Sequence, residues 1–132
     1  MDVRINHSDG LPIYLQIVNQ VTYLAASGRL RVGDELPPIR VLAERLLINP
    51  NTVARAYREL ENLGIVEKRK TAGTYVAEGS SPLIKRERIK ILSDRVDMLL
   101  AEAHRLDVPF EDMIALVNKR RETLQLNEDL KP

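Results

Sequence analysis

Along most of this chain apolar residues recur three or four positions apart, the spacing that gathers them on one face of an α-helix. Pro12 suits a first helical position, where its missing N–H would be unpaired anyway, and Ile13, Ile17, Val21 and Leu24 continue a first helix. It ends near Ser27, with Gly28 suited to the left-handed turn that closes a helix. A second, short helix is expected from Ile39 to Leu47, burying Ile39, Leu42, Ala43 and Leu46. Asn49 can cap the third helix and Pro50 fits its first position. The apolar face of that helix is Val53, Ala56, Tyr57, Leu60 and Leu63, and Gly64 stops it. The pattern then changes to short extended runs, Ile65 to Arg69 and Thr74 to Ala77, with a turn over Lys70 to Gly73. Between the first two helices, "LRVGDELPP" reads as turn chemistry that becomes extended at Pro37 and Pro38.

Helix, helix, helix, hairpin is the order of a winged helix-turn-helix. The expected fold is mostly α with a small β-hairpin: a winged helix-turn-helix domain over residues 1–78, a linker at 79–83 in "EGSSP", and a C-terminal helical segment at 84–132. In that segment Ile89, Leu92, Val96, Leu99, Ala103 and Leu106 draw a narrow stripe closer to a coiled-coil seam than to a core-facing helix. Pro109 opens another helix with Phe110, Met113, Ile114 and Val117; Phe110 and Met113 read as helix-packing residues rather than an effector pocket, and the tail from Leu126 to Pro132 is polar and expected to fray.

Composition narrows the chemistry. The chain has 132 residues, enough for one domain with a helical appendage. It has no Cys, hence no disulfide framework and no thiolate chemistry. There is no apolar run of membrane length and no signal-peptide pattern at the start, so a cytoplasmic protein without a membrane partner is expected. The only histidines, His7 and His104, lie in unrelated segments. No paired carboxylates, Gly-rich phosphate loop or metal-ligand spacing is present, so neither an enzyme nor a cofactor is expected. The net charge of +1 does not by itself announce a nucleic-acid binder. From Arg29 to Ala77, however, nine Lys and Arg face six Asp and Glu, against ten and ten from Lys85 onward.

That excess surrounds the third helix. Opposite its apolar stripe stand Asn51, Thr52, Arg55 and Arg58. Arg can donate twice to guanine, Asn can pair with adenine, and a Thr methyl can meet the thymine methyl. The same face also fits an ordinary solvated surface, with Arg55 pairing Glu59 and Arg58 pairing Glu61 for about 0.2 to 0.5 kcal/mol each. Arg40 suits a phosphate contact or a pairing with Glu44, while Arg69, Lys70, Thr71 and Gly73 form a basic hairpin tip that can follow a minor groove.

Residues 33–76, "GDELPPIRVLAERLLINPNTVARAYRELENLGIVEKRKTAGTYV", resemble the DNA-binding domain of GntR-family bacterial transcription regulators. The loose family pattern runs G-x-x-LP-x-x-R-x-LA, N-P-x-T-V, A-Y-x-x-L-x-x-x-G, G-T-[FY]-V, and "PIYLQIVNQV" is similar to its first helix. The resemblance implies a double-stranded operator as partner, with Arg40, Asn51, Thr52 and Arg55 at the DNA surface and Thr71 to Gly73 at the wing tip. Thr71 departs from the pattern, since many members carry Gly there. Two helices after the domain resemble the YtrA-like branch of small dimeric regulators. The function expected is a homodimeric repressor on an inverted repeat, dimerised through Ile89, Leu92, Val96, Leu99, Ala103 and Leu106; the alternative is a winged helix used only as a protein-interaction module. Whether a small molecule controls it is not written in the residues.

Overall fold

A computed structural model describes residues 1–69, 73–78 and 81–124. These form five helices and a two-stranded antiparallel sheet: α1 (Ile13–Ala26), α2 (Ile39–Leu46), α3 (Pro50–Asn62), β1 (Val66–Lys68), β2 (Thr74–Val76), α4 (Pro82–Arg105) and α5 (Phe110–Thr123). The chain divides into two compact units, Met1–Ile91 and Leu92–Pro132. The division falls inside α4, downstream of the linker expected at 79–83, of which Gly79 and Ser80 lie outside the described residues. Its physical reason is that the first turns of α4 belong to the winged-helix core: Ile84 is buried there, and Arg88 Nε donates to the Ala26 carbonyl at 3.1 Å.

In the first unit the expected apolar stripes become one core. Ile17 and Val21 of α1, Leu42 of α2, Val53 and Leu60 of α3, and Val66 of β1 are all but inaccessible to solvent. Helix α3 packs against both α1 and α2 and leads directly into β1. Its start matches the expected cap, since the Asn49 side chain accepts the Asn51 N–H at 2.8 Å and Pro50 follows. At its end Ile65 N–H reaches the Leu60 carbonyl and Gly64 N–H the Glu61 carbonyl, with Gly64 at φ 76°. That is the left-handed closure in which glycine carries no Cβ penalty.

Three features differ from the sequence reading. Leu47 is not the last residue of the second helix; it closes α2 in the left-handed conformation at φ 57°, ψ 46°, and its side chain is 89% exposed. Pro12 precedes α1 as its non-helical cap rather than occupying the first helical position. The segment read as turn chemistry also makes sheet: Glu35 bridges Tyr75, Leu36 N–H donates to the Thr74 carbonyl, and Val76 N–H donates to the Asp34 carbonyl. It lines the edge of β2 away from β1, which pairs through Val66 with Val76 and Lys68 with Thr74.

The first residues are also part of the core. Val3 is buried, and Met1 and Ile5 pack beside it. Two glutamines one helical turn apart on α1 hold this arm as an adjacent strand would: Gln20 exchanges hydrogen bonds with the backbone of Arg4, and Gln16 with that of Asn6.

In the second unit Ala103 on α4 and Met113 on α5 are buried. A tight turn joins the two helices, with Asp107 at φ 57° and Val108 N–H bonded to the Ala103 carbonyl at 2.9 Å. Ala103 is therefore covered within its own unit, a correction to its place in the exposed seam. The other seam residues, Ile89, Leu92, Val96, Leu99 and Leu106, are between 48% and 65% exposed. Of the two residues expected to pack α5, Met113 is buried and Phe110 is exposed; Ile114 and Val117 are exposed as well. No described helix is long and apolar enough to cross a membrane. The expected fraying at 126–132 lies outside the described residues.

Candidate nucleic-acid interface

The site is built outward from α3. Burial of Val53, Ala56, Tyr57 and Leu60 fixes one side of this helix in the core. The 3.6-residue period then turns Asn51, Arg55 and Arg58 to solvent, with Thr52 half-buried beside them. Asn49 spends its side-chain oxygen on the cap, a structural task whatever else it contacts. Among the described residues neither Arg55 with Glu59 nor Arg58 with Glu61 closes to 4 Å, and Arg40 with Glu44 does not either. The positive charge of this face is not cancelled by pairs along the same helix.

Arg55 has a different neighbour. Its guanidinium carbon lies 3.8 Å from the centroid of the Tyr14 ring, which α1 supplies. On the wing the arrangement recurs: Arg69 lies over the Tyr75 ring at 4.2 Å and also approaches Glu67 at 3.8 Å. Neither tyrosine is among the predicted site residues. The signal for Tyr14 in the sequence is slight, one aromatic at the helix start whose register against α3 only the fold reveals.

Tyr57 ties the site together. It is buried, and its hydroxyl donates to the Pro37 carbonyl at 2.7 Å. Burial pushes its phenol well above the ordinary tyrosine range, partly offset by the nearby Arg45 charge. The sequence reading counts Tyr57 only as apolar stripe and misses this bond across 20 positions.

At the wing, Arg69 N–H reaches the Gly73 carbonyl at 3.3 Å. Gly73 has φ 96°, and a Cβ there would sit 2.8 Å from Oε2 of Glu35. The backbone conformation is what favours glycine at this point, since the Glu35 carboxylate ends a flexible side chain that can move aside. Lys70 and Thr71, expected at the tip, lie outside the described residues. Arg40 is exposed near the start of α2. Among the described residues no group of three or more His, Cys, Asp and Glu is disposed to hold a metal ion.

The chain has known relatives. The sequence profile of "Bacterial regulatory proteins, gntR family" matches residues 13–76. The HTH-type transcriptional repressor YtrA of Bacillus subtilis (strain 168) is 34% identical over 111 residues, covering 84% of this chain and 85% of that protein. Among solved structures, YtrA from Sulfolobus acidocaldarius, a GntR-family transcription factor, is 33% identical with a TM-score of 0.57, covering 71% of this chain and 95% of that one. The DNA-binding domain of AraR, solved in complex with operator ORX1, shares the fold at a TM-score of 0.51 and 20% identity, covering 58% of this chain and 96% of that one. The chain belongs to the GntR family of bacterial regulatory proteins, whose members are transcription regulators with DNA-binding domains and not enzymes.

Proposed function

We propose that this protein is a cytoplasmic homodimeric repressor that reads the two halves of an inverted-repeat operator with its α3 helices. One observation carries the reading: α3 buries one side in the core and turns an uncancelled row of Asn51, Arg55 and Arg58 to solvent, with Thr52 half-buried beside it. In this assignment Asn51, Thr52 and Arg55 meet base edges in the major groove, where Asn and Arg have bidentate partners. Arg40, Arg58, Arg69 and Lys70 meet phosphates, Asn49 holds the helix start, and Thr71 and Gly73 form the wing tip. Its fold is one that AraR's domain uses on an operator, and the Bacillus subtilis relative is a transcriptional repressor.

Residues 84–132 serve as the dimerisation segment. Ile89, Leu92, Val96, Leu99 and Leu106 leave more apolar surface in water than a monomer gains from, and a second copy offers a self-complementary cover. Two copies then present two α3 helices, which matches the symmetry of an inverted repeat.

The test is Arg55→Ala. Against a duplex enriched by the wild-type protein from a random pool, the substitution costs about 1 to 3 kcal/mol and relaxes preference at one base position in each half-site. Unchanged affinity and an unchanged motif would remove Arg55 from the reading face.

A further inference from the structure

We infer that Tyr14 is a positioning residue for base reading, acting through Arg55. The inference rests on the DNA-reading role proposed above for Arg55. The two side chains come from different helices, and at 3.8 Å the guanidinium sits on the face of the ring. A guanidinium carries its N–H donors around its rim, so an aromatic beneath it takes none of them. The stack therefore restrains a long, rotamer-rich side chain while leaving its donors free for a planar two-acceptor target such as a guanine edge. Ordering a side chain before binding lowers the cost of ordering it on binding.

Two further observations fit a mount of this kind. Tyr14 is itself partly buried and packed against the core, so the platform is held from below. No carboxylate among the described residues lies within 4 Å of Arg55, so the ring is not competing with an ion pair for it. On the wing, by contrast, Arg69 shares its ring contact with Glu67. The effect expected of Tyr14 is thus on selectivity at the base that Arg55 reads, not on the general attraction to phosphates.

The experiment uses the full chain as wild type, Tyr14→Phe, Tyr14→Leu, Arg55→Ala and the double variant Tyr14→Leu/Arg55→Ala. Each is incubated with a pool of random duplexes and the bound fraction is sequenced. Affinity is then measured by fluorescence anisotropy for the duplex that wild type enriches and for its scrambled counterpart. Tyr14→Phe keeps the ring and retains the wild-type motif. Tyr14→Leu relaxes the same base position as Arg55→Ala, binds the enriched duplex about three- to tenfold more weakly and leaves the scrambled duplex unchanged. In the Arg55→Ala background Tyr14→Leu adds nothing.

Equal loss on both duplexes, additive effects in the double variant, or a Phe variant as defective as the Leu variant would each overturn the inference. Since Tyr14 also touches the core, a second measurement is independent of how the Leu variant folds: the Arg55 side-chain protons of the free wild-type protein are shifted upfield in the NMR spectrum by the ring above which they lie. Finding them at ordinary positions would overturn it too. If wild type enriches no motif, the DNA-reading role itself fails, an outcome distinct from a motif that depends on Arg55 but not on Tyr14.

Discussion

Leu47 and Gly64 close successive helices with the same left-handed geometry, one with a branched side chain and one without, and this makes a paired prediction possible. At Leu47, φ 57° and ψ 46° place Cβ against the following carbonyl, which costs roughly 1 to 2 kcal/mol in a non-glycine residue. The side chain returns little. At 89% exposure it recovers about a tenth of the roughly 1.5 to 3 kcal/mol that a fully buried leucine contributes. Glycine removes the strain but loses about 0.5 to 1 kcal/mol through the greater freedom of the unfolded chain. The balance favours Leu47→Gly by about 0.5 kcal/mol, a rise of about 2 to 4 °C in the melting temperature of a domain this size.

The control is Leu47→Ala, which loses the same side chain but keeps the strain; it melts below Leu47→Gly, the reverse of the order at an ordinary helical position. Gly64→Ala asks the question in the other direction. No atom lies within 4 Å of a Cβ placed there, so nothing but the backbone at φ 76° opposes it, and the cost is about 0.5 to 1 kcal/mol. Urea unfolding followed by circular dichroism, at one protein concentration throughout, gives all three values. A Leu47→Gly variant less stable than wild type by 1 kcal/mol or more would refute the reasoning, because Leu47 would then be making contacts that its exposure denies.

Two other outcomes follow from the geometry. Because burial raises the Tyr57 pKa in the folded state while the unfolded chain titrates near its ordinary value of about 10, the unfolded form releases this proton first. Stability contributed by Tyr57 is therefore complete below about pH 10 and falls as pH rises from there towards the higher folded value; Tyr57→Phe flattens that alkaline loss in urea titrations and lowers stability at pH 8 by about 1 kcal/mol through the bond to Pro37. A Phe variant with an unaltered alkaline limb would place the titration elsewhere. For the C-terminal segment, Leu99→Glu puts a charge into the proposed interface twice, once per copy, and weakens dimerisation by at least about 3 kcal/mol, read by sedimentation velocity; a wild-type chain that sediments as a monomer at micromolar concentration would end the dimer proposal.

What the sequence disclosed was local. Asn49 and Pro50 announce the start of α3, and Gly64 its end, because capping chemistry is written within a few residues of the cap. The polar row of α3 follows from period alone once its apolar side is known. What escaped depends on distant partners or on a residue type that gives no cue. Leucine at position 47 does not advertise a left-handed backbone. Gln16 and Gln20 look like the polar face of α1 until the arm from Met1 to Asn6 is laid beside them. In the stripe after the linker all six residues look alike, and only the turn at Asp107 brings cover to Ala103. Tyr14 and Arg55 are separated by the whole of α1 and α2, so no spacing rule links them.

Non-local bonds also hold α3 and the hairpin, neighbours in the chain, to a third segment that precedes both. The segment from Asp34 to Pro38 is bound on one edge to β2, through Leu36 with Thr74 and Asp34 with Val76. A few atoms further on, the Pro37 carbonyl receives the hydroxyl of Tyr57 from the middle of α3. The wing and α3 are therefore both fastened to one short stretch of backbone, in addition to being joined by the chain that runs from Gly64 into β1. Proline at 37 and 38 restricts that stretch further, since each ring fixes φ. The groove contacts proposed above for α3 and the hairpin gain from such a coupling, because a shift of either relative to the other would spoil contacts at both. The buried phenol is thus more than a core residue with a satisfied polar end; it ties α3 to the segment that also borders β2.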